Sequence, residues 1–124
     1  MDDYRKLLNS DPDGLLSYEW LVNNIEELSS DDLKALLANS KRVDATGQYI
    51  VSAARYLHSI DAAGYAPYVS DLIEAGIERD RERNYIGTLL AAIWGDDYKE
   101  RASELAAADD NFRRIYKRIY SSGI

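Results

Sequence analysis

The stretch Tyr49-Ile50-Val51-Ser52-Ala53-Ala54 lines up with Tyr85-Ile86-Gly87-Thr88-Leu89-Leu90 at an offset of 36 residues, and the match continues to Leu57 over Ile93. A second set lines up at an offset of 33: Tyr65 over Tyr98, Val69 over Ala102, Leu72 over Leu105 and Ile73 over Ala106. Asn111-Phe112 echoes Asn84-Tyr85 and opens a third, partial copy. A unit of this length at helical spacing is two helices and a turn. One such unit cannot bury its own apolar face, so neighbours have to stack.

The rest of the chain obeys the same period. Apolar residues recur every three or four positions, no segment alternates as a strand would, and β-branched residues are scarce. The spacing predicts helices over about 2–9 (Tyr4, Leu7, Leu8), 16–28 (Trp20, Leu21, Ile25, Leu28), 31–39 (Leu33, Leu36, Leu37) and 45–60 (Ile50, Ala53, Ala54, Leu57, Ile60). Further helices are predicted over about 66–77, 81–94, 97–107 and 111–121. Asp11-Pro12-Asp13-Gly14 reads as a turn, Ser29 with Asp32 as a capping box, Asp44 as a helix cap, and Asp61 to Gly64 as a break. The expected fold is all-α, a short stack of about seven or eight helices arranged as antiparallel hairpins. It forms one domain over 1–124: acidic helices over 1–43, hairpin repeats over 44–79 and 80–108, and a basic terminal helix over 109–124.

The stretches Tyr49–Leu57, Tyr65–Ile77, Tyr85–Trp94 and Tyr98–Ala106 resemble HEAT-like α-helical repeats, and Asp80 resembles the acidic residue such repeats place between helices. Small acidic proteins of this architecture are similar to bacterial immunity proteins that neutralise polymorphic toxins. The resemblance implies a helical superhelix and a protein partner. It does not by itself imply a function.

Charge is unevenly spread. Residues 1–45 hold ten acids against five bases, residues 46–79 four against two, and residues 80–124 eight of each, for a net charge of -7. The stretch 111–124 carries Arg113, Arg114, Lys117 and Arg118 and no acid. An acidic chain is repelled by phosphate backbones unless its bases cluster, so nucleic acid is a disfavoured partner. The Met1-Asp2-Asp3 start is acidic where a signal peptide would be basic, and the apolar run Leu89–Trp94 is too short to span a bilayer. The sequence therefore predicts no membrane association; a chain without cysteine fits any compartment, and a cytoplasmic location is the default expectation.

Little in the chain suggests chemistry. With no cysteine and a single histidine, His58, neither thiolate catalysis nor a two-histidine metal site can be built. The pairs Asp2-Asp3, Asp31-Asp32, Asp96-Asp97 and Asp109-Asp110 all sit at predicted helix starts, where carboxylates cap free amides. Asp11 to Gly14 does not make a calcium loop, because the glycine comes two residues early and the twelfth position is Val22. No glycine-rich phosphate loop is present. The expectation is no catalytic residue, no metal and no cofactor.

Ten tyrosines are the remaining oddity. Tyrosine fills the rims of thin helical layers, and it also anchors interfaces. The leading expectation is a non-enzymatic binding module that covers a basic protein partner, such as a toxin, through Glu19, Glu26, Glu27, Asp31, Asp32, Tyr56, Tyr65 and Asp71. The alternative is a small phage or bacterial regulatory protein. It would grip nucleic acid or an acidic partner through Arg113, Arg114, Lys117 and Arg118, beside Tyr116 and Tyr120.

Overall fold

The computed structural model describes residue 6 and residues 8–120. Among these residues the chain is all-helical, with no strand. The elements are α1 (Leu15–Asn24), a 3₁₀ turn (Ile25–Glu27), α2 (Ser30–Val43), α3 (Gln48–Asp61), α4 (Ala66–Arg79), α5 (Thr88–Trp94), α6 (Ala102–Ala108) and α7 (Asp110–Tyr120). Of the helix predicted over 2–9, Tyr4 and Leu7 lie outside the described residues, as do Asp2 and Asp3. Leu8 is buried against Leu36, with Trp20 and Leu28 packed beside them.

One side-chain device sets the turns. Asp11, Asp44 and Asp80 are all nearly fully buried, and each stands before a helix start. Asp44 Oδ1 accepts the amides of Thr46 (3.2 Å) and Gly47 (3.0 Å), and its Oδ2 accepts those of Tyr49 (2.8 Å) and Ile50 (2.9 Å). Asp80 repeats the pattern on Asn84 (2.9 Å), Tyr85 (2.6 Å) and Ile86 (2.8 Å). Asp11 does so on Gly14 (2.8 Å) and on the amide (2.9 Å) and hydroxyl (2.7 Å) of Ser17. A buried carboxylate is tolerated only when its oxygens are filled, and helix starts present the free amides that fill them. The third residue after each aspartate takes a left-handed backbone: Gly14 at φ 105°, Gly47 at 85° and Arg83 at 62°.

The offset of 36 is therefore the spacing from Asp44 to Asp80, and a further copy lies 33 residues upstream at Asp11. That copy was missed. Its signal was the shared Asp-x-x-Gly of 11–14 and 44–47.

Three helix boundaries differ from the expected ones, the first of them because of this device. The helix predicted over 81–94 begins only at Thr88, because Asp80 binds the amides of residues 84–86 and holds 81–87 in turns. The helix predicted over 97–107 begins at Ala102. Asp97 offers its carbonyl to Glu100 and Arg101 in a turn, so the Asp96-Asp97 pair caps no helix. The helix predicted over 31–39 runs on to Val43, since Asn39 and Ser40 are buried and the Asn39 carboxamide is satisfied by Leu8 O (3.1 Å) and Ser17 Oγ (2.9 Å). The Ser29–Asp32 capping box is present in both directions.

The core runs from Leu21 through Ile50, Leu57, Leu72 and Leu89 to Phe112 and Ile115. The most extensive packing is between α3 and α4. Gly76 permits it: a Cβ there would stand 3.0 Å from Val51 Cγ2. Successive units are tied by arginines reaching backwards. Arg79 donates to Asp44 O (3.0 Å) and Arg118 to Ile77 O (2.5 Å). The arrangement is compatible with a helical-repeat fold. Among the described residues no helix is long and apolar enough to cross a membrane.

Candidate functional site

The end of α1, the 3₁₀ turn and the C-terminal half of α3 enclose an open cleft of about 260 Å³. Val22 of α1 and Ile25, Glu26 and Glu27 of the turn line it together with Tyr56 and Ile60 of α3. Helix α1 stops at Asn24, whose carboxamide donates back to Trp20 O at 3.0 Å. The tight turn that follows leaves both glutamates pointing outward and exposed. Tyr56 is held in place by its hydroxyl, which donates to Val22 O at 3.4 Å across the cleft.

Ile60 corrects an expectation. Its spacing assigns it to the α3 core stripe, yet it is 51% exposed. Its spacing from Ile50 puts it at the edge of the stripe, in the last turn of α3, beyond the reach of the packed neighbours. An exposed isoleucine beside a half-buried tyrosine and two free carboxylates is an unusual surface. Among the described residues neither Glu26 nor Glu27 has an ion pair or hydrogen bond through its carboxylate.

The other expected residues are dispersed. Glu19 is exposed on α1 and Asp31 at the start of α2, neither lining the cleft. Asp32 serves the capping box. Tyr65 precedes α4 and packs against Tyr68 at 6.3 Å between ring centroids. Asp71 forms an ion pair with Lys41 of α2, which removes one carboxylate from the acidic surface.

The basic groups of the terminal helix are partly engaged, Arg113 in an exposed pair within the helix and Arg118 with a neighbouring element. Arg113 binds Asp110 through both Nε (3.0 Å) and Nη2 (2.5 Å), Arg118 is bonded to the Ile77 carbonyl, and Lys117 is engaged as well. Only Arg114 of the four has no recorded polar contact among the described residues. The neighbouring rings are packed against one another. Phe112, Tyr116 and Tyr120 follow at 5.4 and 4.7 Å, and Tyr98 closes the set with its hydroxyl 2.6 Å from that of Tyr120. The hydrogen bond to Tyr120, with burial and the adjacent phenols behind it, pushes the Tyr98 hydroxyl up to about 12.

No three His, Cys, Asp or Glu side chains converge as a metal site among the described residues. No family model matches the chain, and no curated protein or solved structure is significantly similar to it.

Proposed function

We propose that the protein is a non-enzymatic binding module that takes a basic segment of a partner protein into the cleft between Glu26, Glu27, Tyr56 and Ile60. The observation that supports this reading is the coincidence, on one concave surface, of two unpaired carboxylates with an exposed aliphatic anchor. Unpaired charge steers the encounter, and desolvated apolar and aromatic groups hold the complex. The surface suits a chain in which a lysine or arginine neighbours an apolar residue. In its concrete form the module is an inhibitor, of the immunity type, that covers a basic toxin. The reading through α7 is less well supported, because most of its basic groups already have partners within the fold.

The test compares the wild-type chain with two variants, the Glu26→Lys/Glu27→Lys double and Ile60→Asp, as bait in the native host at low and moderate salt. A basic protein retained by the wild type and lost by both variants supports the reading. Identical recovery by all three, or an association rate with the recovered protein that charge reversal leaves unchanged at low salt, overturns it.

A further inference from the structure

A second cleft, of about 230 Å³, lies between the ends of α3 and α5 and the starts of α4 and α7. Its polar lining is His58, Ser70, Asp109 and Asn111, and Ile73 and Trp94 are among its apolar walls. One aspartate builds the far wall. Asp109 Oδ2 accepts the Trp94 indole N–H at 3.0 Å, while its Oδ1 accepts the amides of Asn111 (2.9 Å) and Phe112 (3.3 Å). The Trp94 ring is further fixed edge-on to Phe112 at 5.3 Å. The wall is thus rigid before any ligand arrives, which lowers the entropy cost of binding.

Asn111 supplies an open polar group to the lining. The residue is only 9% exposed, it lines the cleft, and its carboxamide makes no hydrogen bond among the described residues. The carboxamide is not sealed off inside the fold, so its donor and acceptor are open to whatever occupies the cleft. The half-exposed His58 imidazole, also in the lining, makes no hydrogen bond among the described residues.

The chemistry of the lining selects the ligand. The Asp109 carboxylate disfavours an anion, and the α7 amides that would attract one are already taken by it. A carboxamide is matched by an edge that carries a donor beside an acceptor, the pairing by which asparagine reads adenine. The apolar walls, Trp94 among them, accept a flat ring. A cavity of about 150 Å³ holds one benzene, so this cleft has room for a ring and its amide edge or for two fused rings, though not for a drug-sized molecule.

We propose that the cleft between His58, Trp94 and Asn111 binds a small neutral heteroaromatic ring whose edge places a hydrogen-bond donor next to an acceptor. Such an edge comes from a nucleobase or from an aryl carboxamide. The full chain is titrated separately with adenine and with nicotinamide, and the Trp94 indole and Asn111 side-chain N–H signals are followed by NMR. Benzoate and toluene are the anionic and purely apolar controls.

The expected result is a saturable shift at both groups with one of the two probes, which also identifies the source. It should weaken at least about tenfold in Asn111→Ala. It should be lost in Ala66→Phe, which fills the cleft mouth and leaves Asn111 in place. Helix content of each variant is checked by circular dichroism. No saturable shift with either probe up to on the order of 10 mM, equal affinity in Asn111→Ala, or equal binding of toluene overturns the proposal.

Discussion

The carboxylate of Asp44 accepts the backbone amide of Ile50, six residues ahead, at 2.9 Å. The same separation joins Asp80 to Ile86 at 2.8 Å and Asp11 to Ser17 at 2.9 Å. The chain therefore counts its repeats by buried acids, and the helices take their starting points from them.

Removing one of these acids leaves its amides bare. Asp44→Ala frees four backbone N–H groups in a site where the residue is 1% exposed. A lost cap and unsatisfied buried donors together cost roughly 2–4 kcal/mol. Asp44→Asn retains acceptor capacity and should cost about half as much. Urea unfolding measures both, and an Asp44→Ala midpoint equal to that of the wild type contradicts the role.

The left-handed turn residue is glycine twice and arginine once. A side chain in that conformation costs about 1–2 kcal/mol, so Arg83→Gly should stabilise the protein by roughly 0.5–1 kcal/mol after the entropy of the added glycine is subtracted. The exposed bond from Arg83 to Arg118 O is a small loss on the other side. Gly47→Ala should destabilise by about 1 kcal/mol or more, since a side chain at its φ of 85° is strained whatever space surrounds it. Thermal unfolding of the two variants should therefore move in opposite directions.

Most of the helical content was legible in sequence, because stripes such as Leu33-Leu36-Leu37 and Leu72-Ile73-Ile77 follow a period set by local geometry. The starts of α5 and α6 were not, since a carboxylate several residues upstream outweighs the local propensity of 81–87 and a turn closed by the Asp97 carbonyl displaces helix from 97–101. Glu26, Glu27 and Tyr56 could be nominated by type, but their meeting depends on how α1 crosses α3. Ile60 departs from its stripe for a different reason: helical phase marks a stripe and says nothing of where the packed neighbour ends. The pairing of Asp71 with Lys41 spans 30 positions and leaves no local trace.

Acid should act through Asp11. Burial raises its pKa, but the bonds from the Ser17 hydroxyl and from the amides of Ser17, Gly14 and Asp13 more than reverse this, holding it below its ordinary value of 3.8. A depressed carboxylate contributes stability that is fully present above the unfolded value, about 3.9. That contribution is lost as pH falls through the lower, folded value. Asp11→Asn should flatten the acid limb of a stability–pH curve measured below about pH 4, and leave the slope between about pH 5 and 7 unchanged.

Alkali should act at the other end of the chain. The Tyr98 hydroxyl is raised to about 12, so the fold favours its protonated form. This contribution is complete below the unfolded value of about 10 and disappears as pH rises through about 12. Tyr98→Phe removes the titrating group. It should lose less stability than the wild type between about pH 10 and 12, as measured by urea unfolding at each pH.

The aspartate turns also divide the chain into places where length matters and places where it does not. An extra residue between Asp44 and Ile50, or between Asp80 and Ile86, would slide every amide out of register with its acceptor. The link between α3 and α4, at Ala62 to Gly64, is bound by no such device beyond one bond from the Gly64 amide to Asp61 at 3.0 Å, and all three residues face solvent. A reporter or a whole guest domain can be spliced in there, and natural variation in chain length should gather at the same point.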